Sequence, residues 1–497
     1  MLLFMDGYDK YGGINNNGTA LQALLQAEYQ TVATQVQIVA PLSATGQAYA
    51  FVASGTGLAK TLPASYGRLI GGFRFAASLV SSNTGLAFTD AGTQQCVITI
   101  NAVTGTISLR NSSVNGTALG TSTVAVTANS VHQLEYDISF GNAANYQIFL
   151  DGVSILSGTG DTTQSANNTA NGFSITQGTS ANLIIDDLYV FDTSGTTNNA
   201  PLLTSPRIET QFPNSDGAVQ FAAGAAILGT SVPRTTGSVS PVANQWRVRP
   251  FTPTRNMTLN SVCFTCNGAS ATVNLRPMVY TDSAGNPGTL MSAGATVVGT
   301  AVGPVTMPLT TPQSLTAGTQ YWLGLMVDSN PSNLFSQNDG SSSDRVGTAT
   351  FASGAPGTAP TSGASTSALI WGSVTLATPA NFYEVSQQPT QGNNSFLYDA
   401  TAGHEDLFNF PALSTVPAAI YGVAVKASIA KSDAGAKTAS VRLKSGATDS
   451  AGTGGTALAP GLSYGWMTSH FELNPNGSVA WTKAALDAAQ AGVKVET

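Results

Sequence analysis

Glu135 and Asp137 are the carboxylate pair best spaced for acid–base chemistry, because residues two apart on a strand share a face. A glycan hydrolase needs two carboxylates set across the scissile bond at roughly 5–9.5 Å. No second acidic strand and no aromatic cleft accompany this pair, so a solvated strand face is the expectation. Asp186 and Asp187 are adjacent, and strand alternation would send their side chains to opposite faces. His132, His404 and His470 are isolated from one another, with neither HExxH nor triad spacing, and a zinc centre needs four convergent ligands. Cys263 and Cys266 have CxxC spacing, but in an alternating stretch they face opposite ways and read as small buried groups rather than a redox pair. Cys96 reads as core. Gly12-Gly13 and Gly71-Gly72 precede no Lys-Ser or Lys-Thr, which excludes a phosphate-cradling loop. The expectation is a non-enzyme with no catalytic, cofactor or metal site.

The chain that must position these groups is 497 residues long, room for about three domains. Only 9% of it is charged, against about 25% in an ordinary soluble domain. Gly, Ser, Thr, Asn and Ala take that space, a mixture suited to short strands and tight turns and poor for helices. Hydrophobic residues make up 42%, enough for packed cores, so a disordered chain is excluded. The 19 basic residues form no stripe, which argues against nucleic acid, and no apolar run is long enough for a membrane-spanning helix. Met1-Leu2-Leu3-Phe4-Met5-Asp6 lacks a basic start and meets Asp6 too early for a signal peptide, so it reads as a buried strand. Three cysteines exclude a disulfide scaffold and fit synthesis in a reducing cytoplasm.

The fold expected is all-β, several antiparallel sandwiches with a short helix near each terminus. Leu21, Leu24, Leu25 and Tyr29 make one helical face. Thr482 is placed to cap a helix over Lys483 to Ala491, with Gly492 as its stop and Val493 and Val495 extended. Between them the alternation is strand-like: Leu69 to Phe75, Val97 to Asn101, Thr106 to Arg110, His132 to Ile138, Tyr146 to Leu150 and Leu183 to Asp192. Val103-Thr104-Gly105 has hairpin chemistry, and Asp151-Gly152 is a two-residue turn of the kind that needs positive φ. Further strands are expected at Thr258 to Cys266, Thr272 to Tyr280 and Gly318 to Met326. Later ones are expected at Phe396 to Asp399, Asp406 to Phe408, Ile420 to Lys426 and Ser440 to Lys444. The Gly-, Pro-, Ala- and Ser-rich stretch Ser353 to Ser367 reads as a flexible loop or linker.

This order resembles the laminin-G/concanavalin A-like lectin jelly roll over about the first 200 residues. The likeness is carried by the strands around Thr104-Gly105, the strand with Leu134 and Glu135, the Asp151-Gly152 hairpin and Ile185-Asp186-Asp187-Leu188-Tyr189-Val190. It departs at Val131, where such domains often carry Trp. More narrowly, Met5-Asp6-Gly7-Tyr8, the closing Asp-Asp-Leu-Tyr-Val with the Asp192-Thr193-Ser194-Gly195 turn, and Pro213-Asn214-Ser215-Asp216-Gly217 resemble tailed-phage virion proteins. Asn474-Pro475-Asn476-Gly477, Trp481-Thr482 and the helix after them resemble the terminus of that family. Three domains are expected: residues 1–213 as the jelly roll, 214–383 as an inserted accessory β-sandwich, and 384–497 as a C-terminal sandwich.

The resemblance implies a structural component of a tailed-phage virion, made in the host bacterial cytoplasm and carried in the tail, baseplate or fibre region. Its partners would be other virion structural proteins, copies of itself in a homo-oligomer, and a host-surface glycan. Missing heptads argue against a coiled-coil shaft. Other readings are a capsid decoration protein, or a free carbohydrate-binding adhesin or glycan depolymerase. The resemblance also keeps calcium open, with Asp151, Asp161, Asp186 and Asp192 as candidate ligands, although turn and hydrogen-bond roles are the simpler expectation for each. Trp246, Trp322, Trp371 and Trp466 lie mostly in apolar alternation and are expected in cores rather than at a sugar site.

Overall fold

In the computed structural model, the described residues before residue 192 form fourteen strands, in which period-two alternation sets the face each side chain takes. The structure describes the chain except residues 12–20, 23–24, 27, 33–35, 43–46, 52–56, 79–82, 165, 178–182, 196, 224–226, 229–237, 254–255, 267–271, 300–302, 333, 337–343, 360–362, 366–367, 377–380, 382–384, 386–396, 455–458 and 462–463. The described residues form two compact units, Met1–Gln220 with Asp399–Thr497, and Phe221–Tyr398.

The strands of the first unit are β1 (Leu2–Asp6), β2 (Val36–Val39), β3 (Ala48–Phe51), β4 (Gly57–Tyr66), β5 (Arg68–Ala77), β6 (Thr84–Asp90) and β7 (Thr93–Ile100). They continue as β8 (Thr106–Asn111), β9 (Ala118–Ala125), β10 (His132–Ser139), β11 (Ala144–Leu150), β12 (Val153–Gly160), β13 (Ala170–Thr176) and β14 (Leu183–Phe191). One sheet runs β12-β11-β10-β5-β14-β3-β2 with β1 also on β14, and the other runs β4-β13-β6-β7-β8-β9. Phe73, Phe75, Leu134, Tyr136 and Ile138 of the first sheet bury against Phe88, Ile98, Leu109 and Phe173 of the second in a single core. This is a jelly-roll sandwich of two antiparallel sheets. Asp151 and Gly152 sit at φ 52° and 78°, the geometry a two-residue hairpin requires.

The last hundred residues add a second layer to the same unit. Glu405–Asn409, Gln490–Val495, Ala439–Ser445 and Thr448–Ser450 form a sheet whose first edge is Ser215–Asp216. The chain therefore leaves and re-enters one sheet on either side of residues 221–398, with Asp216 opposite Phe408. A two-stranded ribbon, Val423–Ile429 paired with Gly465–Phe471, completes this layer. Its Val423, Val425 and Phe471 pack with Leu443 and Trp481. Cross-strand partners share a face, so Lys426, Thr468, His470 and Trp466 all lie on the opposite face.

The terminal helix is shorter than the sequence pattern predicts. Thr482 caps it as expected, its Oγ1 accepting from the Ala485 amide, but the helix is Lys483–Asp487 and the strand resumes at Gln490. Gly492 is not a stop but a strand residue: a Cβ there would strike the backbone of Asp406. Near the N-terminus residues 21–22 and 25–26 are helical, and Leu21, Leu25 and Tyr29 are buried as predicted. Leu24 of that face, Phe396 of the predicted strand, and Gly12-Gly13 lie outside the described residues.

The second unit is a sandwich of its own. Met257–Cys266, Gly303–Leu315 and Ile370–Leu376 belong to one sheet, and Gln245–Phe251, Asn274–Ser283 and Tyr321–Val327 to the other. Leu259, Phe264, Leu275 and Leu323 bury between them. The stretch read as a flexible linker is partly held down. Ala355 and Ala359 pack on the Trp246–Tyr280–Trp322 cluster, Pro356 accepts from the Tyr280 hydroxyl at 2.9 Å, and Gly363–Ser365 is a strand.

Candidate functional site

Glu135 is not on a solvated face. It is fully buried, and its Oε1 accepts from the Tyr189 hydroxyl at 2.6 Å and from the Leu202 and Leu203 amides at 2.9 and 3.2 Å. The chain at 202–208 closes over this sheet face, where Leu202 and Ile208 pack on Leu2, Ile70, Tyr189 and Phe191. Burial raises the Glu135 carboxyl, while the Tyr189 and backbone donors oppose that rise. Asp137 keeps the same face but is held by the Arg68 guanidinium in two bonds of 2.7 and 2.6 Å. Two carboxylates share a face as predicted, and each is engaged by groups of the protein itself.

Gly71 and Gly72 explain how this arrangement fits. They lie in β5 between Glu135-Tyr136 of β10 and Tyr189-Val190 of β14. A Cβ on Gly72 would sit 2.9 Å from both the Tyr189 hydroxyl and Glu135 Cγ. Gly72 opens the lane along which Tyr189 reaches Glu135, while a Cβ on Gly71 would strike the Tyr136 hydroxyl.

Asp186 and Asp187 break the alternation expected of them. β14 pairs with β3 over Leu183 to Ile185 and with β1 over Leu188 to Phe191, and the two acids fall at the changeover. A bulge lies there, between Asp186 and Tyr189, and Asp187 takes φ 53°. Both acids are buried. Asp186 accepts from the Leu42 and Asp187 amides, and Asp187 accepts from the Ile208 amide and pairs with Arg74 at 3.1 Å. Burial, followed by the charge of Asp186, pushes the Asp187 carboxyl up to about 7. Asp9 does the same work nearby, accepting from the Gln47 and Thr210 amides. These carboxylates staple irregular chain to the sheet.

Two of the histidines, His132 and His404, have acidic partners. His132 Nε2 accepts from the Thr127 amide, so its proton lies on Nδ1 and is given to Asp151 at 2.8 Å. His404 Nδ1 lies 2.8 Å from Asp399. Neither dyad has a nucleophile among its described partners. Cys263 packs with Leu369 and Trp371, whereas Cys266 belongs to the inter-sheet core, so the CxxC pair does face two ways. Burial raises the Cys96 and Cys263 thiols.

The four calcium candidates are dispersed in role. Asp151 holds His132 and the Gln133 amide, Asp161 and Asp192 close turns onto Thr163 and Ser194, and Asp186 serves Leu42. No group of three potential metal ligands occurs among the described residues. Trp246, Trp322 and Trp371 are core residues as expected. Trp466 is not: it is half-buried on the polar face of the ribbon, with Lys10 Nζ 5.7 Å from its ring.

Sequence reasoning missed a buried polar cluster centred on Asp6 and Glu28. Asp6, at the end of β1, accepts from the Tyr8 amide and from the Tyr11 and Tyr29 hydroxyls. Lys10 bridges Asp6 and Glu28 at 3.2 and 3.3 Å. Lys60 of β4 reaches Glu28 at 3.1 Å, and Lys426 of the ribbon reaches it at 3.3 Å and the Met5 carbonyl at 3.0 Å. The Phe4 ring centroid lies 4.9 and 5.0 Å from the last two ammonium groups. Burial alone would raise Glu28, but the charges of Lys426, Lys10 and Lys60 overcome it and hold the carboxyl far below its usual value. Lys426 is lowered to about 8, mainly by burial. The residues lie hundreds of positions apart, and only the Asp6-Gly7-Tyr8 turn signalled one end of the cluster.

No family model and no curated protein matches the sequence. Among solved structures, the chain is similar to the cellulose-induced protein Cip1 at 12% identity, over 42% of this chain and 99% of that one, with a TM-score of 0.28. It is similar to the carbohydrate-binding module CBM66 from Bacillus subtilis at 9% identity, over 31% and 94%, with a TM-score of 0.23. An endo-β-1,4-glucuronan lyase from the fungus Trichoderma reesei gives 14% identity over 32% and 87%, with a TM-score of 0.25. The jelly-roll assignment stands on the sheet order and register of β1 to β14.

Proposed function

We propose that this chain is a non-enzymatic structural component of a tailed-phage virion, tail-, baseplate- or fibre-associated, with a host-surface glycan as its candidate ligand. The observation that carries the non-enzymatic part is the fate of the acids. Glu135, Asp137, Asp186 and Asp187, the groups a hydrolase would use, are each held by the protein's own amides, hydroxyls or guanidinium groups. Support for the virion part comes from the sequence motifs. Met5-Asp6 and Leu188-Tyr189, from two of the short motifs that resemble phage virion proteins, are register partners, Met5 opposite Tyr189 and Asp6 opposite Leu188. Broad sandwich faces of low charge suit packing against neighbouring subunits.

The isolated protein tests the division between scaffold and depolymerase. Incubated with host capsule and lipopolysaccharide, it is expected to release no reducing ends or unsaturated sugars. Release that survives repurification would overturn the non-enzymatic reading. A glycan array then asks about attachment: selective retention assigns a glycan-binding role, and uniform silence removes the glycan from the proposal.

A further inference from the structure

We propose that the ribbon Val423–Ile429/Gly465–Phe471 is latched to the jelly roll by the buried charge cluster, and that acid opens this latch. The two faces of the ribbon make the case. One face is apolar and belongs to its own layer, through Val423, Val425 and Phe471. The other carries Lys426 onto Glu28 and Trp466 to within 5.7 Å of the Lys10 ammonium, with His470 on the same face, opposite Ala424. A contact of this kind depends on charge balance more than on buried apolar area.

The balance is uneven. Lys10 from the 3-10 turn Asp9–Tyr11, Lys60 from β4 and Lys426 from the ribbon bring three ammonium groups. Asp6 from β1 and Glu28 bring two carboxylates, and Tyr8, Tyr11 and Tyr29 stay neutral because burial, and then Asp6, raises their hydroxyls. His470 stands beside this excess of positive charge. Its buried Nε2 makes no hydrogen bond among the described residues. Burial, then Lys426, lowers His470 to about 4.

The direction follows from linkage. With the latch closed, His470 binds a proton only near pH 4; in an opened ribbon it would do so near its ordinary 6.5. The open form therefore holds more protons in that window, and each pH unit of acidification favours opening by up to about tenfold. Glu28, held ionised by its three lysines, acts in the same direction below its ordinary range.

Hydroxyl-radical footprinting of the intact chain between pH 7.5 and 4 tests this. Trp466 oxidation is expected to rise several-fold as pH falls below about 6, while Trp322 in the second unit stays shielded. His470→Gln, which cannot gain the charge, is expected to move the rise to lower pH. Flat Trp466 oxidation, or a rise shared with Trp322, would overturn the latch, as would a His470→Gln profile matching the parent. Should that variant fail to fold, NMR titration of His470 in the unaltered protein decides: a midpoint near 4 supports the latch, and one at 6 to 7 refutes it.

Discussion

The Tyr189 hydroxyl donates to Glu135 at 2.6 Å across Gly72, joining β14 to β10 over the strand between them. This bond turns the most enzyme-like carboxylate of the sequence into an architectural one. Tyr189→Phe removes one of the three donors to Glu135 Oε1 and leaves a buried carboxylate less well satisfied. The cost is expected at about 1–3 kcal/mol, read as a lower midpoint in urea unfolding followed through the jelly roll.

Gly72→Ala puts a Cβ 2.6 Å from the Leu134 carbonyl as well as against Tyr189 and Glu135. Backbone cannot give way cheaply, so a loss of about 1–3 kcal/mol or more is expected. Gly465→Ala, where nothing lies within 4 Å, is the matched control and should change stability by less than about 0.5 kcal/mol. Equal losses in the two variants would mean that Gly72 is not kept for close approach.

Asp187 gives a pH dependence with a definite sign. Its carboxyl, raised to about 7 when folded, binds a proton that the unfolded chain has already released above about 4. Stability from this group is therefore present in acid and falls as pH rises from about 4 to 7, by up to about 4 kcal/mol. Asp187→Asn should remove that fall. The difference between parent and variant, taken from unfolding curves at each pH, isolates it from the opposite contribution of Glu28.

Glu28 and Lys426 are expected to behave unequally although they form one ion pair. Glu28→Gln leaves three ammonium groups facing Asp6 alone, and a loss of about 3–5 kcal/mol is expected. Lys426→Met leaves Lys10 and Lys60 balanced by Asp6 and Glu28, and should cost far less. Thermal unfolding of both variants at neutral pH checks the order, and the reverse order would contradict the charge count.

The three thiols are expected to resist a disulfide reagent in the native protein and to react once it is unfolded. Cys96, Cys263 and Cys266 are buried, and the last two lie on opposite faces of one strand. Rapid native reaction, or a Cys263–Cys266 disulfide under oxidant, would contradict that placement.

What could be read from sequence was whatever depends on local period. Strand alternation, the positive-φ hairpin at Asp151-Gly152 and the Thr482 cap all follow from residues within a few positions of one another. The bulge at Asp186-Asp187 does not, because it arises where β3 gives way to β1 along β14, a matter of which distant strands flank it. The burial of Glu135 depends on residues 202–208 folding back over the sheet, and nothing around Glu135 announces that. The Glu28–Lys426 pair spans almost the whole chain. Gly492 misled for a related reason: a glycine after a helical stretch reads as a stop, whereas here the Asp406 backbone requires it.

The virion role proposed for this protein places it in the assembled particle. Immunogold labelling of purified phage particles, with antibody raised against the intact chain, tests it most directly. Regular labelling at one part of the tail, baseplate or fibres is the result expected. Particles that carry no label and lack the chain by mass spectrometry would contradict the account.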